Sequence, residues 1–159
     1  MVKQAIKIIG ISFVVFWIIS AGIFFMRAHQ LVNPETPESK NITVGGIVVS
    51  VEIADTVPLQ MKGLSNRKSL AENNGMLFVY QDEIIRDFWM KDMEIPLDVI
   101  WIAEGVVVGF QENIPYQSDD GSVVRFKSDK PADQVLEVNA GWIDKNNIET
   151  GNTVDIKED

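Results

Sequence analysis

From Ile8 to Met26 the chain runs for 19 residues without a charged side chain. As a helix rising about 1.5 Å per residue, this run extends about 28 Å, close to the ~30 Å apolar thickness of a bilayer. Gly10, Ser12, Ser20 and Gly22 alone dilute it, and membrane helices tolerate both residue types. The segment divides the chain into a positive N-terminal stretch (1–7), a transmembrane anchor or long signal sequence (8–26), a linker (27–41) and a soluble domain (42–159).

Ser20-Ala21-Gly22 offers small residues, but Ile23-Phe24-Phe25-Met26 continues the apolar run beyond them. No small-x-small cleavage signal stands at its true end, so an uncleaved anchor is expected. Lys3 and Lys7 precede the run and Arg27 follows it. The excess of positive charge on the N-terminal side places the N-terminus in the cytoplasm and the domain outside, in the periplasm or at the cell surface.

From Asn41 onward 10 Lys and Arg face 21 Asp and Glu, a charge of −11 against −9 for the whole chain. Such a surface disfavours nucleic acid and anionic lipid headgroups as partners. The chain has no cysteine, which excludes disulfides, thiolate nucleophiles and zinc–thiolate sites.

Leu31 to Lys40, with Pro34 and Pro37, reads as an extended spacer. Short strands follow. In Ile47–Ile53, Val49, Val51 and Ile53 share one face and Ser50 and Glu52 the other. Asp55 or Thr56 can cap a short helix with Pro58 near its start and Gly63 at its stop. Strands are expected at Met76–Tyr80 and Arg86–Lys91, and Leu97–Ala103 and Val106–Phe110 flank a Glu104-Gly105 hairpin turn. A polar loop runs from Gln111 to Lys130. Gln134–Val138 reads as a strand, Ala140–Asn147 as a short helix and Thr153–Ile156 as a closing strand. The pattern predicts a mainly β, antiparallel sandwich or barrel.

Six motifs in order then point to a family: Asp55-Thr56 with Lys62-Gly63-Leu64 and Arg67; Gly75-Met76-Leu77-Phe78-Val79; Phe88-Trp89-Met90-Lys91; Ile95-Pro96-Leu97-Asp98-Val99; Val135-Leu136-Glu137-Val138; and Ala140-Gly141-Trp142. Across Val49–Ile156 the chain resembles the domain of unknown function 192 family. The resemblance implies a jelly-roll-like antiparallel β domain with minor helices, commonly behind a signal or anchor segment, and carries no settled activity. Asp92-Met93-Glu94 and Ser65-Asn66 depart from the pattern, which usually has Asn-Thr with an apolar residue and Met-Phe there.

His29 is the single histidine and lies beside the apolar run, so imidazole catalysis and imidazole metal sites are not expected in the domain. Carboxylates must carry any acid–base work, and Asp98 is the weak candidate. It begins a strand face otherwise formed by Ile100 and Ile102, where a charge is costly unless paired. Arg67 is its expected bidentate partner. The pair either grips a polar ligand together with Lys91 or ties the 65–75 loop to the sheet. Phe88-Trp89-Met90 must bury one side and can offer the other as a platform, with Trp101, Trp142 or Tyr116 able to add to it. The expected ligand-binding set is therefore Arg67, Trp89, Met90, Lys91 and Asp98. Asp119-Asp120-Gly121 and Asp82-Glu83 with Asp87 lack the spacing of a calcium loop, so no metal and no cofactor is expected.

Three function classes remain open. The first is a membrane-anchored, non-enzymatic binding or accessory module for a small polar ligand or envelope component. The second is a hydrolase-like enzyme using Asp98 with Arg67 or Lys91. The third is an envelope scaffold or assembly partner.

Overall fold

Gly45 and Gly46, with φ of 56° and 87°, turn the chain between its first two strands, β1 (Ser39–Val44) and β2 (Ile47–Ala54). Both values fall in the left-handed region that glycine enters without steric cost. The computed structural model describes residues 36–156. The expected N-terminal stretch, the anchor and His29 lie outside the described residues. Among the described residues no helix is long and apolar enough to cross a membrane.

After β2 the chain forms helix α1 (Val57–Lys62) and returns through a loop into β3 (Asn74–Ile84). It continues as β4 (Asp87–Trp89), β5 (Leu97–Ala103), β6 (Val106–Ile114), β7 (Arg125–Lys127) and β8 (Ala132–Asn139). Helix α2 (Trp142–Asn146) and β9 (Val154–Ile156) complete it. Seven strands form one curled, half-barrel sheet in the order β6-β5-β8-β3-β2-β1-β9, while β4 and β7 pair separately. The two end strands approach each other at one corner, where Val106 bridges Thr153 and Val107 N donates to Asn152 O at 2.9 Å.

The expectation of a purely antiparallel sheet needs one correction: β2 and β3 run parallel, Glu52 opposite Met76. Parallel neighbours need a crossover connection, and the segment through α1 and the following loop supplies it. Two further elements escaped the sequence reading. β1 begins at Ser39, inside the expected linker, and the expected 111–130 loop contains the end of β6 and all of β7.

Both faces of the sheet are covered. On one, Val49, Val51, Leu77, Ile100, Ile102, Leu136 and Val138 pack with Trp142 and Ile143 from α2. On the other, Met76, Phe78, Val99, Trp101 and Val135 pack with Leu59 and Leu64, at and just after α1, and with Met90, beyond β4. β5, between β6 and β8, is buried along all seven residues.

Gly75 marks the tightest strand approach. A Cβ there would lie 2.6 Å from the backbone oxygen of Glu137, and 3.1 Å and 3.2 Å from Leu136 Cδ1 and Val138 Cγ1. Because the nearest atom is backbone, β3 and β8 must part to admit it. Gly75→Ala is therefore expected to destabilise the domain by about 1–3 kcal/mol, read as a lower urea midpoint. An unchanged midpoint would show that the strand spacing is not limiting.

Candidate functional site

Four elements border an open cavity of about 180 Å³ on the α1 face of the sheet. Its floor comes from Phe78 and Tyr80 on β3 and Glu137 on β8. These side chains share one face because strand side chains alternate, and the register sets Met76 opposite Glu137. One wall is α1 with the turn after it, including Gln60, Met61 and Ser65. The other is Phe88 and Trp89 of β4 with Met93 beyond.

α1 is seated by Gln60, whose Nε2 donates to Ala54 O at 3.2 Å and Val79 O at 2.9 Å. Thr56 occupies the expected N-cap position, yet its side chain makes no capping hydrogen bond. The opposite wall is held by aromatic packing: the Phe88 ring lies edge-on to Phe78 at 5.2 Å and to Trp101 at 5.6 Å. Arg86 fixes Tyr80 from outside, its guanidinium 3.8 Å from the ring centroid. Arg86 itself is buried, with Nε donating to Ala132 O at 2.7 Å and Nη2 to Asp82 Oδ1 at 2.8 Å.

Glu137 is 5% exposed. Its neighbours across the sheet are Met76 on β3 and Val99 on β5, and burial alone pushes its carboxyl up to about 8. At neutral pH it is mostly protonated, able both to donate and to accept a hydrogen bond. Burial likewise pushes the Tyr80 phenol up to about 12. Glu52 flanks Met76 from the other side on β2. The Arg67 guanidinium forks onto its carboxylate at 2.5 and 2.6 Å and holds it below the usual carboxylate range.

The structure disperses the expected site. Arg67 pairs with Glu52 and not with Asp98, so the tie between the 65–75 loop and the sheet exists with a different carboxylate. Asp98 is fully buried on the opposite face, where Oδ1 accepts from Asn113 N at 2.7 Å and Oδ2 from Ile143 N at 2.9 Å. Both oxygens are engaged by backbone amides away from solvent, which leaves no approach for a substrate. Met90 packs into the core and Lys91 is exposed. Only Trp89 of the five lines the cavity. Trp101 and Trp142 are buried on opposite faces of the sheet, and Tyr116 is exposed on a loop. Asp82 is engaged by Arg86, and Asp120 accepts from Ser118 and Ser122.

Sequence reasoning overlooked Glu137, Tyr80 and Arg86. The signal for Glu137 was present in Val135-Leu136-Glu137-Val138, where a lone carboxylate interrupts a buried strand. The two segments that depart from the family pattern meet at the rim. Asn66 N donates to Asp92 O at 2.7 Å, Ser65 Oγ donates to Lys91 O at 3.1 Å, and Ser65 and Met93 both line the cavity.

Residues 40–156, well over half of the chain, match the family described as uncharacterized ACR (DUF192). The chain belongs to this family. No curated protein matches it. Two solved structures are similar. One, from Sinorhizobium meliloti 1021, is described as a candidate transcription regulator; it is 25% identical, with a TM-score of 0.69 over 78% of this chain and 98% of that one. The other, a protein of unknown function from Novosphingobium aromaticivorans DSM 12444, is 30% identical, with a TM-score of 0.67 over 74% of this chain and 84% of that one.

Two outcomes follow from this geometry. Asp98→Ala strands two backbone amides and is expected to cost about 2–5 kcal/mol in urea unfolding, whereas the half-buried Arg67→Ala should cost about 1 kcal/mol. Equal effects would contradict the assigned roles. Glu137 binds a proton more tightly in the folded state than in the unfolded one, where its pKa is 4.5. Stability should therefore fall as pH rises from about 4.5 to about 8, by on the order of several kcal/mol. Glu137→Gln should remove that slope in a pH series of urea unfolding curves; a slope that persists would refute the burial argument.

Proposed function

We propose that this DUF192 member is a membrane-tethered, extracytoplasmic binding module whose cavity between α1, β3 and β4 takes a small ligand. One observation carries the ligand-binding part: Glu137 is 5% exposed yet unpaired, at the floor of a cavity walled by aromatic rings. A buried carboxyl without a partner among the described residues stabilises nothing in the free domain. It is useful as the polar anchor of an occupant whose apolar body meets Phe88, Trp89 and Tyr80. A cavity slightly larger than the ~150 Å³ that accepts benzene in a protein core suits a group of roughly that size.

The tether rests on sequence alone, on the uncharged run 8–26 and the lysines before it. It keeps the acidic domain at the outer membrane–water boundary. The description of the Sinorhizobium relative is not carried over, since a charge of −11 from residue 41 onward is repelled by a phosphate backbone. The enzyme reading that used Asp98 loses support because that carboxylate is committed to two amides.

The test is a fragment panel read by tryptophan fluorescence and ligand-observed NMR. Met61 is 60% exposed at the cavity mouth, so Met61→Trp can fold and narrow the entrance. Binders should compete with one another, weaken at least tenfold in Met61→Trp and persist in Tyr116→Ala. A panel without binders, or binders indifferent to Met61→Trp, would instead favour the scaffold reading.

A further inference from the structure

We infer that the ligand of this cavity carries a primary ammonium group, with Glu137 as its counter-ion and Tyr80, Phe88 and Trp89 around its apolar body. The inference deepens the binding-module reading and rests on it. Its basis is the free carboxyl at the cavity floor, with acceptors and aromatic rings beside it.

Gln60 spends its amide hydrogens on Ala54 O and Val79 O, which leaves its Oε1 to accept. Ser65 spends its hydroxyl hydrogen on Lys91 O, which leaves Oγ lone pairs. Glu137 has no partner among the described residues, and Asp87, at the open side, is already ion-paired with Arg125 Nη1 at 3.9 Å. The lining also holds donors, the Tyr80 hydroxyl, the Trp89 indole N–H and the exposed Lys62 ammonium, so what singles out a cation is the unpaired carboxyl at the floor beside aromatic rings. Aromatic faces add their own attraction for a cation, strongest where water is excluded. Arg125 already lies over the outer part of Trp89, 5.6 Å from the ring centroid. An ammonium group supplies three donors and a positive charge, which matches this lining. A carboxylate or phosphate ligand meets the Glu137 carboxyl at the floor, while the cations nearby, Lys62 and Arg125, stand exposed at the rim.

The charged groups around Glu137 bear this out element by element. β3 presents Tyr80, held uncharged by burial. The α1 side presents Lys62, exposed at the rim, and β4 presents Asp87, also exposed. β2 presents Glu52, already neutralised by Arg67, and β5 presents the apolar Val99. β7 presents Arg125, exposed and paired with Asp87, and among the described residues no cation pairs with the Glu137 carboxyl.

Proton balance makes the claim measurable. The free carboxyl is mostly protonated at pH 7, given its upward shift to about 8. An arriving ammonium forms the carboxylate–ammonium pair, and the displaced carboxyl proton leaves to solvent. A neutral ligand leaves that proton in place.

The experiment uses the full-length chain in detergent, with benzylammonium, benzyl alcohol and benzoate as near-isosteric probes. Isothermal titration at pH 7 in two buffers of different ionisation enthalpy reports the protons exchanged. Benzylammonium should bind with release of roughly nine-tenths of a proton, and its affinity should rise about tenfold per pH unit between 6 and 7. Benzyl alcohol should bind at least tenfold more weakly without proton release, and benzoate not at all. Glu137→Gln, which removes a desolvated acid and should fold, is expected to lose at least tenfold for benzylammonium, to abolish proton release and to erase the preference for benzylammonium over benzyl alcohol.

Benzyl alcohol binding as tightly as benzylammonium, absence of proton release in the wild type, or an unchanged Glu137→Gln affinity each overturns the inference. So does failure of benzylammonium to bind at millimolar concentration. In those cases panel binders sensitive to Met61→Trp leave the broader binding reading standing; without such binders, both readings fall.

Discussion

A sheet that is apolar on both faces must be covered twice, and that requirement organises the domain. β5 and most of β8 bury side chains in both directions, so neither can sit at a water-facing surface. α2, held to β5 through the Asp98 carboxylate, closes one face. The other is closed by pieces from separate parts of the chain, α1 with its turn and the β4–β7 pair. The parallel β2–β3 pairing follows from this need, because the crossover between them carries α1 onto the second face.

Cover assembled from short pieces leaves a gap. α1 has six residues, and only Leu59 of them is buried; β4 and β7 have three residues each. Phe78, Phe88, Trp101 and Phe126 fill the space beneath β4. Between that cluster and α1 the sheet stays partly uncovered, and Glu137 stands at that place. A carboxyl covered elsewhere on this face needs a partner, as Glu52 has in Arg67.

Much of the architecture was legible because it is local. Val49, Val51 and Ile53 alternate as read, Pro58 and Gly63 bound α1, and Glu104-Gly105 turns the β5–β6 hairpin. The facing of Leu97, Val99 and Trp101 against Ile100 and Ile102 also follows from period two. What was hidden depends on distant pairings. Glu52 lies 15 positions from Arg67 and was read only as the polar face of β2, while Asp98 looked like the costly charge needing a partner. In fact backbone amides satisfy Asp98, and amides leave no trace in side-chain identity. Glu137 is the opposite case: in sequence it is one polar residue in an apolar strand, and only the packed sheet places a cavity beside it. β1 was missed because Ser39 and Lys40 continue the polar character of the preceding stretch, although Ile42 and Val44 alternate beyond them.

The corner where Val106 meets Thr153 has a consequence for how such molecules coexist at high density. An open sheet offers two rows of unsatisfied amides and carbonyls, and each row is a template for a neighbour's strand. Here β9 is three residues long, the start of β6 is occupied by Gly151 and Asn152 of the same chain, and Val154 N donates to Gly105 O in the turn before it. Farther along, β6 departs from regular pairing between Val99 and Leu97, with Asn113 at a φ of 53°. One border is thus nearly spent on itself and the other is bent out of template shape. Copies crowded side by side can touch without zipping into a continuous ribbon.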